Sequence, residues 1–287
     1  MGGWTIVPGG RAFSEDFAHY LAPPDEIIQA GMTAGMVVFD TNVLLSLYRF
    51  ASDARGELFS AFERIGERAW IPHQVSLEFH KNRPEVVLDY GSVYASALEA
   101  IGKCEEQVQS DLRQRIQLLA KRTALSPGQL APLLRSVDEA LVPVRKGLEQ
   151  LRDSHGLSGS LSDDPILERL QRIFRGKVGS PVDDVDHASM LEEADRRIKE
   201  ELPPGYKDKR PGDYLVWRQT LNEARDRADV TVLVFVTEDV KDDWYLRVKG
   251  RVLFARPELD SRSAGNSRRN AGNDANGLFP PAFSDLP

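Results

Sequence analysis

Four acidic side chains have the type and the placement that a cation-dependent reaction needs. Asp40 and Asp239 each come shortly after an apolar run, Asp213 begins a helical pattern, and Glu78 lies about one turn into another helix. Clustered carboxylates repel one another at neutral pH unless cations neutralise them. Hard divalent ions such as Mg²⁺ and Mn²⁺ prefer oxygen ligands. Such a site can activate water and stabilise an in-line displacement at phosphorus.

The elements that must bring these acids together are short strands. Apolar runs predict strands at 36–40, 69–72 and 230–236, and 252–254 predicts a last short strand. The first run is continuous, which predicts a strand buried on both faces. The runs alternate with helical patterns, so we predict an α/β fold with a parallel sheet. Parallel strands end at one edge, where open α/β sheets bind ligands. The carboxylates that follow the strands are therefore expected at that edge.

Each acid alone also has a plainer explanation. Glu78 can be a solvated helix residue, and Asp213 can be an N-terminal cap favoured by the helix dipole. Asp239, Asp242 and Asp243 can be a solvated charge cluster in a loop. The prediction of one common site depends on the joint placement of the acids.

Composition restricts the class of protein. The chain has 287 residues, 41% of them hydrophobic, and a formal net charge of −7. This acidity argues against a protein that coats nucleic acid, but not against an enzyme whose carboxylates hold cations. The single cysteine, Cys104, excludes an internal disulfide framework. With no signal-peptide pattern and no run long enough to span a bilayer, we expect a cytoplasmic protein that does not contact membranes.

The sequence also predicts a domain organisation. We expect an N-terminal arm at 1–32, an α/β domain at 33–83 and 185–258, a helical insertion at 84–184 and a disordered tail at 259–287. In the insertion, apolar residues recur at three- and four-residue intervals. Ser126 with Gln129 predicts a capped helix start near its middle. We therefore expect two long antiparallel helices, inserted as a helical hairpin.

Four short motifs, in this order, resemble those of PIN-domain nucleases. They are Phe39-Asp40-Thr41-Asn42, Ile71-Pro72 leading to Glu78, Gly212-Asp213 opening a helix, and Val236-Thr237-Glu238-Asp239. The insertion, the run from Pro203 to Asp208 and the segment Lys241-Asp242-Asp243-Trp244 are similar to the bacterial PIN-like subgroup with a large insertion. The resemblance covers about residues 33–258. It implies a Rossmann-like three-layer α/β/α fold with a short parallel sheet, and metal-dependent hydrolysis of phosphodiester bonds, most often in RNA.

The resemblance also implies roles for individual residues. By position, four acids would be the catalytic residues and the ligands of Mg²⁺ or Mn²⁺: Asp40, Glu78, Asp213 and Asp239. Thr237 would orient the last acid, and Asn42 would support the first. Asp242 would be an auxiliary ligand, directly or through water. The insertion is larger than anything in compact toxin-type PIN domains, so the RNA targets of those proteins are not carried over.

Basic side chains beside the acids favour a polyanionic substrate. They lie before Asp213, after Glu78 and after Asp239, and they are Lys207, Lys209, Arg210, Arg83 and Lys241. We expect them to contact phosphates that flank the scissile bond. The alternative is that they are ordinary surface cations, which exposed loops often carry.

The sequence also fits other functions. A catalytically inactive PIN-like scaffold would bind RNA or a partner protein, or form a homodimer, through the helical insertion. A phosphatase with an aspartyl nucleophile also begins with a strand that ends in Asp, but it needs a second Asp where Asn42 stands. The four acids favour a nuclease, with RNA favoured over DNA, although flap nucleases share a similar acidic edge. RNA processing, a toxin and a defence effector are the biological roles that fit.

Overall fold

A computed structural model of the chain describes Phe17, residues 20–157, residues 160–259 and the backbone of 276–278. The chain forms two compact units. The first unit consists of residues 1–44, 65–78 and 174–287, and the second consists of 45–64 and 79–173. Most of the predicted arm at 1–32 lies outside the described residues, so that domain prediction stays a prediction.

The described residues are largely helical. The helices are α1 (Asp25–Ala34), α2 (Thr41–Ser46), α3 (Ser52–Ile65), α4 (His73–Gln107), α5 (Arg113–Thr123), α6 (Pro127–Glu139), α7 (Val142–His155), α8 (Pro165–Ile173), α9 (Asp184–Lys199) and α10 (Gly212–Asp226). The strands are β1 (Met36–Phe39), β2 (Ala69–Trp70), β3 (Val232–Val236), β4 (Tyr245–Val248), β5 (Arg251–Ala255) and β6 (Asn276–Leu278). None of the described helices is both long enough and apolar enough to cross a membrane.

A parallel sheet organises the first unit. Its strand order is β2-β1-β3-β6, and every pairing is parallel. All four residues of β1 are buried. Because successive strand residues point to opposite faces, both faces of the sheet are covered at β1. The predicted fold class, α/β with a short parallel sheet and an inserted helical hairpin, is confirmed.

The end of the first unit contains more strand than we predicted. β5 is longer than the predicted strand at 252–254, and it pairs antiparallel with β4, which we did not predict. Only Tyr245 of β4 is buried, so this strand has no continuous apolar run that could reveal it. β6 falls within the predicted tail at 259–287, most of which lies outside the described residues. The disorder of that tail therefore stays a prediction.

The second unit contains the predicted helical hairpin. The first arm is α4 and α5, joined by a π-helical turn at Val108–Leu112, and the second arm is α6 and α7. Three cross-arm contacts show the direction: Tyr90 with Arg152, Glu105 with Arg145, and Arg113 with Asp138. The numbers fall in one arm as they rise in the other, so the arms are antiparallel. The predicted capping box is also present, since the Ser126 N–H donates to Gln129 Oε1 at 3.1 Å.

Candidate active site

Asp40 is fixed in orientation at the carboxyl end of β1. Its Oδ1 accepts the Thr41 N–H at 2.7 Å, and its Oδ2 accepts Asn42 Nδ2 at 2.8 Å and the Thr237 hydroxyl at 2.7 Å. Burial raises the pKa of Asp40 to about 6, against the lowering effect of the Thr237 and Thr41 hydrogen bonds. The negative charges of Glu78 and Asp239 raise it further. The Asp40 carboxylate therefore lies close enough to Glu78 and Asp239 for their charges to act on it.

Thr237 and Asn42 connect the ends of the two central strands. The Asp239 N–H donates to Thr237 Oγ1 at 3.0 Å, while that hydroxyl donates to Asp40. Asn42 Oδ1 accepts the Glu238 N–H at 3.0 Å, and Asn42 Nδ2 reaches Asp40. Thr237 is fully buried. The Thr237 hydroxyl thus orients Asp40 and meets Asp239 only at its backbone N–H, and the supporting roles of Thr237 and Asn42 stay predictions.

Glu78 points to the same edge and is held at both oxygens. Its Oε2 accepts the Thr41 hydroxyl at 3.1 Å, and its Oε1 accepts Gln74 Nε2 at 2.7 Å. Thr41 thus contacts Asp40 through its N–H and Glu78 through its hydroxyl. Gly212, at the start of α10, lies directly against Glu78, because a Cβ on it would be 2.6 Å from Glu78 Oε1. Asp213 is the next residue of α10, and it lies close enough to Asp40 for the charge of Asp40 to raise its pKa.

We predict that Gly212→Ala disturbs the site more than the fold. The added methyl group would displace the Glu78 carboxylate, which is the end of a flexible side chain, so unfolding stability should change little. Misplacing one functional group by about 1 Å can reduce a rate by about 100-fold. We expect cleavage to fall about 10- to 100-fold, measured beside Gly56→Ala on α3, whose Cβ meets no atom within 4 Å. Equal effects of both substitutions would contradict this explanation.

Asp213 lies at the start of α10 with little compensation for its charge. Trp244 Nε1 donates to Asp213 Oδ2 at 3.3 Å. Burial raises the pKa of Asp213 to about 7, and the charge of Asp40 adds to the rise. Lys241 and the Trp244 hydrogen bond lower it, whereas Asp243 raises it. Burial first, and the charge of Asp40 second, therefore disfavour the ionised form of Asp213 in the metal-free protein.

Lys241 supplies a positive charge to the acidic edge. Its Nζ lies 2.7 Å from Asp239 Oδ2 and 2.5 Å from Asp208 Oδ2, and its N–H donates to Asp239 Oδ1 at 2.9 Å. Burial opposes its charge, but the bonds to Asp208 and Asp239 raise the pKa of Lys241 overall. We predicted a phosphate contact for this side chain. In this structure it is paired with one of the acids.

Asp242 and its neighbour Asp243 differ in a way that the sequence did not reveal. Asp242 is 53% exposed and lies between Lys207 at 3.8 Å and Arg247 at 3.7 Å. Asp243 is 0% exposed and its charge reaches Asp213. Its Oδ2 accepts the N–H groups of Gly205 and Lys207 at 3.1 and 3.2 Å. Asp243 is therefore the acid of this pair that faces inward, and the two aromatic residues after it were the available signal of burial.

The predicted substrate cations belong to both units of the chain. Lys207, Lys209 and Arg210 are exposed in the loop before α10. Arg83 belongs to the second unit, where it forms an ion pair with Asp164, which also accepts the Tyr48 hydroxyl at 2.6 Å. Asp164 is buried, so Arg83 compensates a buried charge there. Its predicted contact with phosphate stays a prediction.

The comparison with protein families identifies the chain. Residues 36–259 match the family described as PIN like domain, and this stretch includes all four acids. The chain belongs to the PIN-like domain family. No curated protein and no solved structure matches it. PIN-like domains form a nuclease-type family that generally binds nucleic acid, and PIN nucleases typically use divalent metals.

The residues of this PIN-like domain fit a hard divalent cation. In the part of the chain that the structure describes, no three His, Cys, Asp or Glu side chains already form a metal-binding group. Asp239 is paired with Lys241, whose ammonium partly neutralises this carboxylate. The donors at the edge are all oxygens, which suits Mg²⁺ or Mn²⁺. Among the described residues, the buried Asp243 Oδ1 has no hydrogen-bond partner. The edge therefore has unsatisfied oxygen and excess negative charge.

Proposed function

We propose that this chain is a metal-dependent nuclease that hydrolyses phosphodiester bonds, with RNA as the favoured substrate. The observation that supports it most directly is that Thr41 joins Asp40 to Glu78 at one sheet edge. Gly212 lies against Glu78, and the charge of Asp40 acts on the next residue, Asp213. Asp239 joins them through Thr237. RNA processing, a toxin and a defence effector are the roles that we propose for such an activity.

The four acids would hold Mg²⁺ or Mn²⁺, and we propose no other cofactor. A divalent ion there would supply positive charge for a phosphodiester and lower the pKa of water. Asp242 would take part only through water, because it is half-exposed and lies beside Lys207 and Arg247. Asp243 is buried near Asp213 and would add negative charge behind the site.

The protein's own contribution to the reaction is positioning. Three hydrogen bonds hold the two oxygens of Asp40, and two more hold those of Glu78, so neither carboxylate has to reorganise. Fixed groups in a partly buried site interact more strongly with charge than the same groups in water. The network of Thr41, Asn42 and Thr237 is therefore expected to matter as much as the acids that it orients.

The experiment that tests the proposal is cleavage of end-labelled single-stranded RNA and DNA with Mg²⁺, Mn²⁺ or EDTA. We expect cleavage with either metal, none with EDTA, and faster cleavage of RNA. Circular dichroism shows whether the protein used is folded. Folded protein that cleaves neither substrate with any metal would reject the proposal.

We predict that Lys209→Glu with Arg210→Glu weakens binding of a labelled RNA strand. Both side chains are exposed, and in the described residues neither has an ion pair. Two lost phosphate contacts should flatten the slope of log affinity against log salt by about 1.4. The measurement is fluorescence anisotropy at several salt concentrations in EDTA. The matched control is Lys121→Glu with Arg122→Glu, which reverses two adjacent exposed cations in the second unit. An unchanged slope would show that the loop does not contact phosphate.

A second candidate function is a scaffold that binds a partner protein, or a second copy of the chain, through the helical insertion. Large apolar side chains are exposed on both arms of the hairpin, including Leu112, Leu119, Val144 and Leu151. They repeat at seven-residue spacing within each arm, which places them on one side of a helix. Failure of the cleavage experiment would favour this function.

A further inference from the structure

The segment from β4 to β5 is basic, although the chain as a whole is acidic. The whole chain has 44 acidic and 37 basic residues. Between Trp244 and Arg256, however, there are four basic residues and no acidic one: Arg247, Lys249, Arg251 and Arg256. A local positive surface on an acidic protein is a feature of electrostatic contact with polyanions.

The first three of these residues, Arg247, Lys249 and Arg251, lie on or beside a tight turn. Val248 pairs with Arg251, so the connection is two residues long, and both of them have positive φ: 52° at Lys249 and 79° at Gly250. These angles match a type I′ hairpin turn, in which Asn, Asp and Gly are preferred. Lysine adopts positive φ at a cost in free energy. A cation therefore stands at the tip of the turn, at a position where Asn, Asp or Gly would adopt the same φ with less strain.

The root of the hairpin lies beside the acids. Trp244 Nε1 donates to Asp213. The next residue, Tyr245, is buried, and the charges of Asp239 and Asp40 add to the effect of burial in raising the pKa of its phenol. Four strand residues span ~13 Å, so the tip lies about two to four nucleotides from this root.

The hairpin continues the basic loop before α10. The Asp242 carboxylate contacts Lys207 of the loop on one side and Arg247 of the hairpin on the other. In the described residues, Lys249 and Arg251 are exposed and have no ion pair. Their charges are therefore available to a ligand, while Arg247 is partly neutralised by Asp242.

We propose that the β4–β5 hairpin is an arm that binds the phosphate backbone of a nucleic-acid strand as it leaves the acidic edge. This inference rests on the proposed nuclease function and names the surface that holds its substrate. The exposed Val248 and Leu253 add apolar contacts that any base or sugar can make. The arm contributes affinity and direction, and does not read sequence.

The test is binding of fluorescent 20-nucleotide RNA and DNA strands to the full chain in EDTA, followed by anisotropy from 50 to 300 mM salt. Lys249→Glu with Arg251→Glu should weaken binding about 10-fold or more, and the salt slope should become shallower by about 1.4. Lys121→Glu with Arg122→Glu makes the same change in net charge and should change neither quantity. Unchanged binding by the hairpin variant, or equal weakening by the control, would overturn the inference.

Lys249→Gly distinguishes a lost phosphate contact from a loss of folding. Glycine adopts positive φ without strain, so this variant should unfold at a higher temperature than the wild type and yet bind RNA more weakly. A more stable protein with unchanged affinity would show that Lys249 does not contact the strand.

A small substrate separates this inference from the nuclease proposal. Bis(p-nitrophenyl) phosphate is a phosphodiester too short to reach the turn. The Lys249→Glu, Arg251→Glu protein should hydrolyse it at the wild-type rate with Mn²⁺ while cleaving 20-nucleotide RNA more slowly. A loss on both substrates would mean that the hairpin supports the acids, and would overturn the inference. If the wild type hydrolyses neither, the nuclease proposal fails, and the anisotropy experiment still decides whether the arm binds nucleic acid.

Discussion

Asp40→Asn and Asp213→Asn should each reduce metal-dependent cleavage of RNA by more than about 100-fold. Each substitution keeps the size of the side chain and removes one of the charges that would hold the cation. In Asp40→Asn, the amide also cannot accept all three hydrogen bonds from Thr41, Asn42 and Thr237. The measurement is single-turnover cleavage of labelled RNA over a range of Mn²⁺ concentrations.

The control for this experiment is Asp226→Asn. Asp226 is exposed at the other end of α10, about 20 Å along the helix from Asp213. Asp226→Asn makes the same change in charge on the same helix, and this variant should cleave RNA at the wild-type rate. Activity retained in Asp213→Asn would remove this acid from the site. Equal losses in all three variants would point to net charge rather than to ligands.

Asp213→Asn should also make the metal-free protein more stable at neutral and alkaline pH. The pKa of Asp213 is about 7 in the folded protein and 3.8 without the fold, so the folded state binds the proton more tightly. The stabilisation from this proton is complete below pH 3.8 and is lost as the pH rises through 7. Asparagine has no proton to lose and stays uncharged at every pH in this range. At pH 8 we expect the variant to gain about 2 kcal/mol in unfolding free energy, less than the full shift implies because the carboxylate is partly exposed.

Urea unfolding in EDTA at pH 4 and pH 8 measures this effect. The gain of Asp213→Asn should be present at pH 8 and nearly absent at pH 4, whereas Asp226→Asn should show no such dependence. Asp40→Asn should gain less than Asp213→Asn, because its amide would point an N–H group at a donor. A variant that loses activity and gains stability would indicate that these charges are kept for function. If Asp213→Asn were less stable than the wild type at pH 8, burial and the charge of Asp40 would not be destabilising the Asp213 carboxylate.

Residue types and their local order were enough to predict the sheet, the helical hairpin and the family. Continuous apolar runs predicted β1, β2 and β3, and polar residues directly after them predicted an acidic edge, because a buried parallel strand leaves no other place for a carboxylate. Three- and four-residue periodicity predicted the helical hairpin, and Ser126 with Gln129 predicted the start of its second arm. The four motifs, taken in order, led to the PIN-like domain family.

Only the tertiary structure decided which neighbouring groups meet. Asp242 and Asp243 are adjacent, and the packing of Trp244 and Tyr245 turns one outward and the other inward. The meeting of Gly212 with Glu78 joins residues that lie far apart in the sequence. The pairing of Lys241 with Asp239, two residues away, depends on the conformation of their loop. The β4–β5 hairpin was missed because mostly exposed strands lack the apolar run that reveals buried ones. Sequence patterns report burial, but the direction of a side chain and its partner depend on distant parts of the chain.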